Sequence, residues 1–238
     1  YICSNQVIAK ENLRKLHLFP EEADGGETIS RISFLATNPT QARSEPSQRL
    51  LSLNTLTPAT SFQISNSTGV QRERALIYAL LCKDRRLARN ARGLRWLLIG
   101  GVRKMDRFRR TIRWATEGGL RADLPARFLA EIRRTRVPLS NQWIYEHLRG
   151  GRERTLYQAV RELSASLRDR RSEQARRGAC HELTRQLRRL LIHCCLDYVD
   201  ADLYILDEFQ RFRDLIDTES EEEQALIARK IFGKKTTK

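Results

Sequence analysis

No stretch of this 238-residue chain approaches the roughly 18 to 20 consecutive apolar residues that a bilayer-spanning helix needs. A membrane surface is therefore a poor candidate for its partner, and no secretory signal pattern is visible. Cysteine is present five times, an odd number in an arginine-rich sequence. That excludes a fully paired disulfide framework and leads to the expectation of reduced thiols in the cytoplasm. A phosphate-binding loop of the form G-x-x-x-x-G-K-[ST] is missing. Gly233-Lys234-Lys235-Thr236 comes nearest, but it follows a helical pattern rather than a strand, and no glycine stands five residues before Gly233. There is no fixed-period repeat, no recognised DNA-reading motif and no Ser-His-Asp or Cys-His constellation.

Positive charge is what the chain has in excess. A formal net charge of +15 and a pI near 10.2 favour a polyanionic partner, with nucleic acid the first candidate. The 40% hydrophobic content is enough for a core, and the length suits one or two domains. Residues 20–70 are rich in Gly, Ser, Thr, Asn and Pro, with strand candidates at Ile29–Leu35 and Leu50–Leu56.

From Arg72 to about Tyr198 the pattern is helical and carries most of the basic excess. Helices are expected over Arg74–Leu87, over Leu94–Ala115 with an interruption at Gly100-Gly101, and over Leu124–Ile132. Pro138 breaks the helical pattern, and Ser140 is a candidate cap for a helix ended by Gly150-Gly151. Arg154–Arg171 and Arg177–Tyr198 read as long amphipathic helices. Arg107, Arg109, Arg110 and Arg113 form a dense cationic run with Phe108 and Trp114 interleaved, suited to phosphate contact and base stacking. Phe108 and Trp114 are also the natural core residues of such a helix. Cys180-His181 and His193-Cys194-Cys195 hint at zinc, but His181 and His193 stand about three helical turns apart, and buried thiols are the simpler reading.

Near the C-terminus Leu203-Tyr204-Ile205-Leu206 runs into Asp207-Glu208-Phe209-Gln210. An apolar strand ending in adjacent carboxylates is the layout of a Walker B element, which delivers two acids to the carboxyl edge of a parallel sheet. Asp207-Glu208-Phe209-Gln210-Arg211-Phe212 resembles motif II of superfamily two helicases and translocases. Tyr1-Ile2-Cys3-Ser4 followed by Asn5-Gln6-Val7-Ile8-Ala9 looks like their motif Ia. Leu56-Thr57-Pro58-Ala59-Thr60-Ser61-Phe62 is similar to a segment of large bacterial helicase-related proteins, in which it lies between those motifs as it does here.

The resemblance implies an α/β fold: a partial RecA-like parallel sheet interrupted by a large, basic, mostly α-helical insertion. Residues 1–70 would open the RecA-like domain, 71–198 would be the insertion, and 199–238 would return to the Walker B strand and its following helix. It implies ATP and Mg²⁺ as cofactors, with Asp207 holding the metal through water and Glu208 activating the attacking water. Gln210 would couple nucleotide state to domain motion. Asn5, Gln6, Thr57, Thr60 and Ser61 would contact the nucleic-acid backbone, DNA ahead of RNA, together with the arginines at 107–113. The chain begins with Tyr and lacks the phosphate loop and motif III. The expectation is an internal piece of a larger helicase or translocase, inactive towards ATP by itself. Its partners would be the rest of its own polypeptide, including the phosphate-binding loop and a second RecA-like domain. The alternative is a non-catalytic, basic, helical nucleic-acid-binding or scaffold protein.

Overall fold

The computed structural model describes residues 31–37, 68–102, 104–138, 142–146 and 153–198. Ten helices occur among them. They are α1 (Arg31–Ala36), α2 (Gln71–Leu81), α3 (Arg85–Ala88), α4 (Ala91–Leu98) and α5 (Met105–Glu117). After these come α6 (Leu124–Arg134), α7 (Gln142–Tyr145), α8 (Leu156–Ser166), α9 (Arg170–Ala175) and α10 (Arg177–Leu196). One compact unit gathers Ile32–Ala42 with Asn66–Cys195. None of the helices among the described residues is long and apolar enough to cross a membrane.

The expected α/β architecture is overturned for the described residues. They form no strand or sheet, only two isolated antiparallel bridges, Thr37 with Leu120 and Arg136 with Thr155. The reason is visible in α1, where a strand was expected over Ile29–Leu35. Ile32, Leu35 and Ala36 are all buried, a spacing of three and then one that fits one face of a helix and not the alternate face of a strand. The end of α1 is held by Arg121, whose amide donates to the Ala36 carbonyl and whose Nε donates to the Leu35 carbonyl at 2.8 Å. The strand candidate at Leu50–Leu56 and the Walker B strand at 203–206 lie outside the described residues.

Helix α2 is the centre of the domain. Every residue from 73 to 81 is buried, so the helix is enclosed rather than half-exposed, and α4, α5 and α6 pack around it. Helix α8 in turn packs on α4 and α6. Phe108 of α5 and Phe128 of α6 are completely buried and fill the space around α2. Burying such a ring contributes about 1.5–3 kcal/mol relative to leaving it in water. At the crossing of α4 and α8, a Cβ on Gly93 would sit 1.7 Å from the Ser164 carbonyl oxygen. Only glycine permits backbones to approach so closely.

Local signals end and start these helices. The expected Arg74–Leu87 helix breaks at Asp84, whose carboxylate accepts from the amides of Arg86 (2.9 Å) and Leu87 (3.1 Å) and so caps α3. Thr155 and Gln158 form a reciprocal capping box at α8: the Thr155 hydroxyl accepts from the Gln158 amide, and the Gln158 side chain accepts from the Thr155 amide. Asp169 and Ser172 do the same at α9, which splits the expected Arg154–Arg171 helix.

Candidate nucleic-acid interface

The positive charge of the chain is segregated. Residues 71–198 carry 31 Lys and Arg against 13 Asp and Glu, whereas the remaining residues carry 13 against 16. Residues 71–198 therefore hold more than the whole excess, and the direction in which their cations point decides what they can bind.

Helix α5 gives the clearest answer. Phe108, Ile112 and Ala115 form its buried stripe against α2. The helical spacing then forces Arg107, Arg109, Arg110 and Arg113 outward, and all four are exposed. Arg109 forms an ion pair with Asp106 at 3.2 Å, between side chains 58% and 86% exposed. Water screens that pair so well that it restrains Arg109 weakly. Arg107, Arg110 and Arg113 make no ion pair among the described residues. Trp114, half-buried at the border of this face, lies under the Arg72 guanidinium, 5.1 Å from the ring centroid. Gln71 bonds the Arg107 carbonyl at 3.1 Å and the Thr111 hydroxyl, tying the start of α2 to α5. The interleaved aromatics thus divide: Phe108 belongs to the core and Trp114 to the edge of the cationic face.

Other arginines are structural. Arg188 of α10 reaches Glu73 of α2 at 2.7 Å, with the two side chains 9% and 6% exposed. Beside them the buried Arg74 donates to the Gly69 carbonyl, and burial lowers its pKa against the opposing pull of Glu73. Gly69 itself has φ +75°, and a Cβ there would stand 2.2 Å from the Glu73 carboxylate. A second cluster joins α3, α6 and α8. Arg133 bonds Asp84 at 2.6 Å, the Tyr157 hydroxyl donates to Asp84 at 3.1 Å, and Arg133 lies 5.4 Å from the Tyr157 ring centroid. Burial pushes the Asp84 carboxyl upward, but the Leu87 amide, Arg133, Tyr157 and the Arg86 amide outweigh it, leaving its pKa below the usual value.

Neither cluster was evident in the sequence. Lys83-Asp84-Arg85-Arg86 contains the one available signal, an acid immediately before a helical turn, which is the mark of a cap.

The cysteine and histidine residues offer little for chemistry. Cys180, Cys194 and Cys195 are buried. Burial pushes the Cys180 thiol up to about 12 and the Cys195 thiol higher still, so both stay protonated at neutral pH and are poor nucleophiles. Burial and Arg177 lower the His181 pKa. No group of three or more potential metal ligands occurs among the described residues.

Of the residues expected to act on nucleic acid, Arg107, Arg109, Arg110 and Arg113 are brought onto one face. Asn5, Gln6, Thr57, Thr60 and Ser61 lie outside the described residues, as do Asp207, Glu208 and Gln210. Comparison of the chain with protein-family models, curated proteins and solved structures finds no match.

Proposed function

We propose that the helical domain binds the phosphate backbone of nucleic acid, with little sequence preference, through the solvent face of α5. The observation that carries this reading is the row Arg107, Arg110 and Arg113, exposed, without ion pairs among the described residues and fixed in direction by the buried Phe108 and Ile112 behind it. Guanidinium groups match phosphate geometry and remain charged at any physiological pH. Replacing condensed counterions on the strand supplies the free energy, so affinity falls steeply with salt. DNA is the preferred partner on the motif resemblance, and the face itself reads charge rather than base identity.

The test is a salt series with labelled single- and double-stranded oligonucleotides, on the parent chain and on an R107Q/R110Q/R113Q variant. Loss of three phosphate contacts lowers the slope of log affinity against log salt by about 2 to 3. An unchanged slope would sink the assignment.

A second reading extends the first. We infer that the segment ending in Asp207 and Glu208 serves ATP hydrolysis coupled to movement on DNA. The support is the apolar run 203–206 ending in Asp207 and Glu208, together with Gln210 and the two upstream segments at Asn5-Gln6 and Thr57–Ser61. Asp207 supplies the oxygen ligand suited to Mg²⁺, and Glu208 the base for the attacking water. Where this segment is joined to a phosphate-binding loop, Glu208→Gln should abolish turnover while sparing nucleotide binding. Parental turnover in that variant would refute this reading and leave the backbone-binding reading untouched.

A further inference from the structure

A second cationic surface is assembled at the other end of the helix packing order. Helix α5 packs on α2, α2 on α4, and α4 on α8, with α9 also against α4. Where α4, α8 and α9 meet, Arg89, Arg92, Arg161, Arg168 and Arg171 are exposed, and none forms an ion pair among the described residues. Local chemistry draws them together. The Asn90 side-chain amide donates to the Arg161 carbonyl at 3.3 Å, and Gly93 allows α4 to rest on the backbone of Ser164 and Leu167. The acids beside them are engaged: Glu162 pairs with Arg154 at 3.7 Å, Glu173 pairs with Arg170 at 3.5 Å, and Asp169 caps α9 through the Ser172 amide at 2.8 Å. Hydrogen bonds from Ser172 hold its carboxyl below the usual range, and Arg92 of α4 contributes from across the junction. Arg92, Arg161 and Arg171 lie on the three helices and Arg89 and Arg168 in the short segments beside them, so five exposed cations share a junction whose acids are already engaged.

We infer that this junction takes a second stretch of nucleic-acid backbone, so that the domain bridges two strands or duplexes. The inference rests on the reading of the domain as a backbone binder, but it concerns different residues. Three helix-to-helix steps of about 8–10 Å each lead from α5 to α8 in the packing order. The two arginine sets share no residue and no helix, so each is altered without touching the other. Nucleic acid fits better than an anionic membrane. Surface-bound membrane helices bury an apolar face beside their cations, and Val70 is the one exposed large hydrophobic residue among those described. Arginine-rich surfaces without such a face are suited to phosphates arrayed along a strand.

The experiment uses the full chain, one duplex immobilised on beads and a second, fluorescent duplex in solution. Three proteins are compared: the parent, R107Q/R110Q/R113Q, and R92Q/R168Q/R171Q. Far-ultraviolet circular dichroism and thermal midpoints confirm that all three are folded. The parent should retain the fluorescent duplex on the beads. Each variant should still bind a single duplex, with affinity reduced about tenfold or more at physiological salt, and should lose retention of the second. Retention by the R92Q/R168Q/R171Q variant equal to that of the parent would overturn the inference, since bridging would then arise through self-association or α5 alone. A parent that binds one duplex but retains no second would also overturn it, leaving the α5 reading intact. A parent that binds no duplex would overturn both. Binding of this junction to phosphatidylserine vesicles without any duplex retention would assign it to membranes instead.

Discussion

Arginines on α2 and α10 and arginines on α5 are the same residue type in the same kind of helix, and they serve opposite ends. Arg188 is drawn into the core, where Glu73 meets it at 2.7 Å and apolar neighbours exclude water. Arg107, Arg110 and Arg113 stand in solvent with no acid among the described residues to neutralise them. What separates the two groups is the stripe each helix offers to the core. Helix α2 is enclosed on all sides, so any charge on it must find a buried partner or be expelled. Helix α5 has a narrow apolar stripe and a wide polar remainder, so its charges need no partner within the fold. Position decides whether an arginine holds the protein together or is available to a ligand.

The contrast breaks most violently at Glu73. Removing the carboxylate in Glu73→Ala leaves Arg188 buried without its counter-charge, and destabilisation of about 3–5 kcal/mol is expected. Denaturant unfolding monitored by circular dichroism measures it. The double variant Glu73→Leu with Arg188→Met removes both charges and should recover most of the loss, because the desolvation cost disappears with the pair. A double variant as unstable as the single one would show that the pair positions the helices by geometry rather than by charge balance.

Gly69→Ala probes the same cluster from the backbone side. The left-handed φ and the clash with the Glu73 carboxylate each oppose a Cβ there. A cost of about 1–3 kcal/mol is expected. A neutral result in the same unfolding assay would mean that the turn relaxes without disturbing the ion pair.

The legibility of each feature in the sequence depends on the range of the interaction behind it. Helices over 71–198 could be read because leucines and isoleucines recur at three and four residues, a signal contained within each segment. Their breaks were harder. Asp84 and Asp169 each interrupt an apparently continuous amphipathic pattern, since the cap is a single residue and the periodicity continues through it. The strand expected over Ile29–Leu35 failed for a related reason: a short apolar run fits both periods, and the contact of Arg121 with the end of α1 lies 86 residues away. Glu73 and Arg188 are 115 residues apart, and nothing local marks either as a buried partner. The cationic face of α5 was visible because its arginines and its core residues share thirteen consecutive positions. The junction of α4, α8 and α9 was not, because its five arginines are scattered along the chain and meet only through packing.

A smaller effect comes from Asp84, which stands between the two extremes as a partly shielded acid with a partly exposed arginine. Its pKa is depressed in the folded protein, so its contribution to stability is complete above the ordinary carboxylate pKa of about 3.9 and disappears as pH falls through the lower folded value. Asp84→Asn keeps an acceptor for the α3 amides but removes the charge facing Arg133. The expected loss at pH 7 is about 1–2 kcal/mol, shrinking as the medium is acidified below about pH 4. Unfolding curves for the parent and the variant, recorded from neutral to strongly acidic pH, should converge at the acid end. Parallel curves would show that Asp84 acts through its hydrogen bonds alone.

The smallest effect on stability belongs to α5, and it sharpens the comparison most. Arg107, Arg110 and Arg113 pair with no acid among the described residues, so replacing all three with Gln should move the unfolding free energy by no more than about 0.5 kcal/mol per site. Relief of repulsion among neighbouring cations could make the change slightly favourable. Glutamine retains helix propensity and the aliphatic part of the side chain, so neither the α5 backbone nor its packing on α2 is asked to change. Nucleic-acid affinity should fall steeply in the same variant. Unfolding and binding are therefore measured on one protein preparation at one salt concentration. A variant that loses stability in proportion to its loss of binding would place these arginines with Arg188 as structural groups. Unaltered stability with weakened, less salt-sensitive binding would leave the phosphate backbone as their partner.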